Sequence, residues 1–88
     1  MGRRLMRLLY FAWLRTRIGR AEERLDKPPE VTTVADLLDW LKCRGDGYAA
    51  ALKDPKVVRV AVNHDYVGPD QVLADGDEVA LFPPVTGG

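Results

Sequence analysis

Val34, Leu37, Leu38 and Leu41 fall at i, i+3, i+4 and i+7, the spacing that places four apolar side chains on one face of a helix. Thr33 precedes them with Asp36 three places on, resembling a capping box in which Asp replaces the usual Glu. Lys42, Cys43 and Arg44 then set cations against the negative pole of the helix, and Gly45 supplies a residue that tolerates positive φ. The pattern predicts a helix over residues 34–44. A shorter helical turn follows through residues 48–52, stopped by Asp54-Pro55.

Strand patterns flank this helix. Leu8 to Leu14 is an apolar, β-compatible run, and Val58-Arg59-Val60-Ala61-Val62 is β-branched with period two. Asn63-His64-Asp65 turns that strand towards Tyr66-Val67, which makes a hairpin. Arg24-Leu25-Asp26 is a weak second strand limited by Pro28-Pro29. Gly68-Pro69-Asp70 breaks the chain, Asp75-Gly76-Asp77 is a strong turn, and residues 78–82 read as a last strand closed by Pro83-Pro84. The order is β-β-α-β-β with a late turn, an α+β pattern in which one main helix covers one face of a mixed sheet.

With 88 residues, 47% of them hydrophobic and 30% charged, the chain makes one small folded domain. A domain of this size buries roughly 60 to 65% of its unfolded surface, so it holds a core but has little room for an enclosed active site. Composition therefore favours a carrier or binding module over a self-sufficient enzyme.

The zero net charge hides a gradient. Residues 1–27 hold eight cations and three anions (8 − 3 = +5), residues 28–60 balance five against five, and residues 61–88 carry five acids with no Lys or Arg. A nucleic-acid arm would be poor in large apolar residues, yet here the arginines flank Leu8 to Leu14. The blander account, the alternating surface of a folded domain, is preferred, with neither nucleic acid nor membrane as partner. Arg3, Arg4 and Arg7 ahead of the apolar run imitate a signal peptide, but Arg15-Thr16-Arg17 stands where a small-residue cleavage site should be, and seven residues cannot span a bilayer. Leu5, Leu8, Leu9 and Ala12 also fit helical spacing, so a basic amphipathic presequence is the second reading of this segment. Met6 is an alternative start, which would leave residues 1–5 as a tail outside the fold.

A single cysteine, Cys43, excludes an internal disulfide, and a single histidine, His64, leaves too few soft ligands for zinc. No metal site is expected, and a cytoplasmic setting fits. His64 reads as an exposed turn residue rather than a base, and Cys43 as a packed helix residue rather than a thioester or persulfide carrier. Trp13 and Trp40 read as core or edge packing.

The last eight residues are more specific. Leu81-Phe82-Pro83-Pro84-Val85-Thr86-Gly87-Gly88 resembles the C-terminus of the small-subunit family of molybdopterin synthase, the MoaD-like sulfur carriers with a β-grasp (ubiquitin-like) fold. Leu9-Tyr10-Phe11-Ala12 with Leu14-Arg15 looks like that family's first strand, Thr33 to Leu38 like its helix start, and Ala61-Val62-Asn63 with Ala74 to Ala80 like its later strands. The resemblance covers nearly the whole chain and is weakest over residues 19–31, where two prolines and extra charges leave the loop path open.

The resemblance implies a single domain, residues 1–88, with a flexible tail over about residues 83–88. It implies that Gly88 is the reactive end: a ubiquitin-activating-type adenylyltransferase uses ATP to adenylate its carboxylate, and a sulfur donor enzyme displaces AMP to leave a thiocarboxylate. Gly87 and Thr86 would thread the tail through a narrow channel, for which a residue without Cβ is suited. Phe82, Pro83, Pro84 and Val85 would meet the synthase large subunit, with Phe82 as an aromatic anchor and the prolines holding the tail off the sheet. The acidic last third would steer that association. No cofactor is expected on the chain itself; sulfur would pass to a cyclic pyranopterin monophosphate, with the large subunit supplying acid/base groups. Gly-Gly carriers also serve thiamin synthesis and tRNA thiolation, and a ubiquitin-like interaction module with an inert tail is the reading from another class.

Overall fold

The computed structural model describes residues 4–84, and Val85, Thr86, Gly87 and Gly88 lie outside the described residues. Five strands, β1 (Met6–Tyr10), β2 (Glu22–Leu25), β3 (Arg59–Val62), β4 (Asp65–Val67) and β5 (Glu78–Phe82), form one sheet in the order β2-β1-β5-β3-β4. The central pair β1·β5 is parallel and its neighbours are antiparallel, which makes the sheet mixed. Alternation along the strands sends Met6, Leu8, Tyr10, Val60, Val62, Val79 and Leu81 to one face, where all are buried.

That face is covered by α2 (Val34–Lys42) through Val34, Leu37 and Leu41, three of the four positions on the predicted stripe, with Leu38 packed half-buried beside them. The capping box forms as expected: Oγ1 of Thr33 accepts from the Asp36 amide at 3.2 Å, and Asp36 Oδ2 accepts from the Thr33 amide at 3.1 Å. Two further amides of the first turn are satisfied from outside the helix, Val34 donating to the Gln71 carbonyl and Ala35 to that of Pro69. At its other end α2 stops two residues earlier than the spacing predicts. Cys43 is its C-cap, and Gly45 instead opens α3 (Asp46–Ala51), which starts before the turn predicted over residues 48–52 and has Leu52 as its C-cap.

The strand expected over residues 8–14 is overturned in its second half. β1 ends at Tyr10; Phe11 stays extended, and Ala12 at φ 55° turns the chain out of the sheet into α1 (Ala12–Ile18). Leu14 is fully buried and Trp13 and Ile18 pack half-buried against the core, so the apolar run is split between a strand and a helix. A short apolar run carries no period that separates the two. Gly19 ends α1 at φ 90°, its amide donating to the Arg15 carbonyl at 2.8 Å, a left-handed position suited to glycine.

Residues 19–31, left open by the sequence, run through β2 antiparallel to β1 and return beneath the helix. Lys27 Nζ donates to the Val31 carbonyl at 2.9 Å, and Val31 is buried. The hairpin β3–β4 closes on Asn63 and His64, both at positive φ, as a two-residue turn matched to the strand twist requires. Met6, the alternative start, opens β1 and is fully buried, while Arg4 and Leu5 ahead of it are exposed and belong to no strand or helix. Among the described residues no helix is long and apolar enough to cross a membrane.

Candidate functional site

β5 leads directly to the tail, and its alternation decides what surrounds the tail root. Val79 and Leu81 point into the core, so Ala80 and Phe82 face the other side of the sheet, which no helix among the described residues covers. The neighbouring strands add to that outer face in register. Ala61 on β3 stands opposite Ala80 and, across the hairpin, opposite Tyr66; Leu9 on β1 stands beside Ala80. The two alanines keep the middle of the face low. Tyr66 therefore leans towards Phe82, with ring centroids 5.5 Å apart and planes at 39°.

Phe11 completes the aromatic set. Its amide donates to the Leu81 carbonyl at 3.1 Å, which continues the β1·β5 ladder one step beyond Tyr10 and sets Phe11 at the level of Phe82. Tyr66 is 79% exposed and Phe11 48%, an unusual outlay of aromatic surface for a chain this small. Sequence reasoning singled out Phe82 alone. In the sequence Phe11 belongs to an apolar run and Tyr66 to a hairpin, and only the strand register sets the three on one face.

Around the short edge strand β4 this face continues into a groove of about 540 Å³, floored by Val58, Val60 and Val67 and walled by Val34 and Leu38 of α2. Tyr66, Phe82 and Arg59 form its rim, with Gly68-Pro69 at one end. Pro83 and Pro84 are half-buried beyond the end of β5. The predicted tail residues Val85, Thr86, Gly87 and Gly88 lie outside the described residues. Aromatic rings, aliphatic side chains, prolines and one guanidinium can dock a protein; they offer no acid/base pair or nucleophile. Among the described residues no group of three or more His, Cys, Asp or Glu is placed to hold a metal ion.

One predicted placement changes. Cys43 is exposed at the end of α2 and is not a packed helix residue, because the helix terminates before its side chain can turn inward. Of the five acids of the last third, Asp75, Asp77 and Glu78 sit at the end of β5 remote from Phe82, about 13 Å of strand away. His64 is exposed as expected, its Nε2 3.4 Å from Glu78 Oε2. Trp13 and Trp40 are half-buried against the core, with Arg17 over the first ring at 5.7 Å and Arg44 over the second at 5.1 Å.

A buried polar cluster lies away from the tail. Glu23 of β2, 6% exposed at its side chain, accepts from the hydroxyls of Tyr10 and Tyr48, each at 2.6 Å, and from Arg44 at 2.8 Å and Arg20 at 3.2 Å. Burial pushes its carboxyl up, but the hydrogen bonds from Tyr10, Tyr48 and Arg44 outweigh it and hold the group below its ordinary value. Burial and the Glu23 charge push both tyrosines up. The cluster ties β2 to β1, α3 and the end of α2. No sequence signal marked it, since Glu23 falls outside the strand predicted over residues 24–26, which the structure places at Glu22–Leu25.

A mixed sheet gripping one main helix defines a ubiquitin-like β-grasp fold. The chain belongs to the ThiS family, whose sequence model matches residues 8–88. It is 39% identical over 84 residues to the molybdopterin synthase sulfur carrier subunit of Escherichia coli (strain K12), a match covering 96% of this chain and all of that one. Among solved structures, a putative molybdopterin converting factor, subunit 1, from Pyrococcus furiosus superposes with a TM-score of 0.76 at 35% identity, covering 92% of this chain and 98% of the other. A protein in a complex of subunits 1 and 2 of the molybdopterin-converting factor from Helicobacter pylori shares the fold at TM-score 0.62 and 22% identity, covering 96% and 99%.

Proposed function

We infer that this chain is the sulfur carrier subunit of a molybdopterin synthase, working in the cytoplasm as a sulfur-donating subunit without catalysis of its own. The observation that carries the reading is the full-length kinship to subunits of that name, joined to a tail that leaves an exposed aromatic face at Phe82 and ends on Gly87-Gly88. Kinship across the family would also suit a carrier for thiamin or tRNA thiolation; the Phe82-Pro83-Pro84 root and the relatives named for the synthase favour the pterin route.

The chemistry belongs to the chain end. A carboxylate is a poor acyl donor, so an adenylyltransferase joins a Gly88 oxygen to the α-phosphorus of ATP and expels pyrophosphate. Sulfide-level sulfur from a donor enzyme then attacks the acyl carbon, the C–O bond to AMP breaks, and a thiocarboxylate remains. In the synthase the large subunit admits Thr86-Gly87-Gly88; the thiocarboxylate sulfur bonds to a pyranopterin carbon in place of an oxygen substituent, and water then cleaves the acyl C–S bond, leaving sulfur on the pterin and a carboxylate on Gly88. The chain's described residues serve docking: Phe82, Tyr66 and Phe11 offer rigid apolar area at low entropic cost, while Pro83-Pro84 restrict the tail before it is ordered. Co-expression with an activating enzyme and a sulfur source, followed by intact mass, tests the reading. A gain equal to replacing one oxygen by sulfur, confined to the C-terminal peptide, is the expected result; an unchanged mass refutes it.

A further inference from the structure

The outer face of the sheet treats its three strand arginines differently. Arg7, at the end remote from the tail, is bracketed by acids on both neighbouring strands, Glu22 on β2 at 3.2 Å and Glu78 on β5 at 3.3 Å. Arg20 and Arg44 share Glu23, and Arg24 reaches Glu22 at 3.8 Å. Arg59 opens β3 directly opposite Phe82, the last ladder pair before the tail. On its other side β4 has already ended at Val67, so the chain offers Gly68 there and no side chain. Arg59 is exposed and makes no ion pair among the described residues, although five acids follow it in sequence.

Resting on the docking role proposed for Phe82, we propose that Arg59 is the ionic anchor of that surface and that the docking partner carries an Asp or Glu side chain facing it beside the tail entrance. Arg59 and Phe82 are cross-strand neighbours on the rim of one groove, so a protein that covers the Phe82 and Tyr66 rings takes water from the guanidinium as well. A cation desolvated without a counter-charge opposes binding, whereas a carboxylate meets the planar guanidinium fork with two parallel hydrogen bonds. The pair also fixes the azimuth of the partner around the tail, which apolar contact alone leaves loose. Both neighbours of Arg59 being uncharged leaves the counter-charge to the partner.

The test measures dissociation constants of the cognate synthase large subunit for the wild-type chain, Arg59→Ala, Arg59→Glu and Phe82→Ala, at low and high salt, with melting curves on each variant. Arg59→Glu is expected to weaken the complex about tenfold or more at low salt, Arg59→Ala less, with unchanged melting and a shallower salt dependence than wild type. If Phe82→Ala weakens binding while Arg59→Glu stays within about twofold of wild type, the ionic anchor is overturned and the docking surface stands. If neither variant matters, or wild type forms no complex, the docking surface fails and the anchor with it.

Discussion

The Tyr48 hydroxyl donates a 2.6 Å hydrogen bond to Oε2 of Glu23, the oxygen that also accepts from Tyr10 at the same distance. One buried carboxylate oxygen thus joins α3 to β1 through β2, where a strand of four residues with two of them exposed gives little apolar area. Glu23→Gln keeps the shape but withdraws the charge that faces Arg44. A loss of about 2 kcal/mol is expected in urea unfolding at neutral pH, and about 1 kcal/mol for Tyr48→Phe. Because the folded carboxyl lies below its ordinary 4.5, its contribution is present above that value and fades as pH falls through the lower folded value. The urea midpoint of wild type should fall below about pH 4.5, and that of Glu23→Gln should fall less.

Gly47 makes the opposite case to helix propensity. It lies in the first turn of α3, where alanine would ordinarily stabilise by about 1 kcal/mol. A Cβ there would sit 2.5 Å from the Arg17 carbonyl oxygen, which is backbone and cannot step aside. Gly47→Ala should therefore destabilise by about 2 kcal/mol or more, read as a lower melting temperature, by forcing α1 and α3 apart. A gain in stability would mean that the two helices do not pack this closely.

These two features show where the sequence is legible and where it is silent. Thr33, Asp36 and the stripe of Val34, Leu37 and Leu41 announce α2 because a helix writes its cap and its period within about ten residues. β5 and the β3–β4 hairpin are equally local, their alternation and turn residues lying side by side. Trp13 to Ile18 was not legible as a helix because one apolar run serves both a strand and the helix after it. Glu23 meets Tyr10, Arg44 and Tyr48 at separations of 13, 21 and 25 residues, and Phe11, Tyr66 and Phe82 share one face only through the register of four strands. Long-range geometry of that kind leaves no trace in local spacing.

Phe82→Ala should weaken the complex with the large subunit by at least about 2 kcal/mol, since the ring stands at the centre of the aromatic face. Tyr66→Ala should follow it in direction, because Tyr66 packs on Phe82 and is 79% exposed in the free chain. Isothermal titration or surface binding reads both, and unchanged dissociation constants would place the interface elsewhere.

Deleting Gly88 should abolish sulfur loading and leave the melting curve unchanged, as a terminal residue contributes little burial. Cys43→Ser should load normally: the thiol is exposed at the C-cap of α2, and its loss opens no cavity. Sulfur found on the truncated chain by intact mass would move the reactive group to Cys43.

Gly87→Val separates a working tail from an inert one. A carrier must pass Thr86-Gly87-Gly88 through a channel that excludes side chains, and the branched Cβ of valine widens the tail at the step where it is narrowest. Adenylation or sulfur transfer should fall sharply, while stability stays within about 0.5 kcal/mol of wild type. Binding through Phe82 should also persist in part, because the aromatic face lies on the folded sheet. ATP-dependent loading and pterin conversion, compared at matched folded fraction, read the difference. Equal rates for both proteins would mean that nothing grips the tail, and the carrier reading would give way to a ubiquitin-like module that acts through the Phe82 face alone.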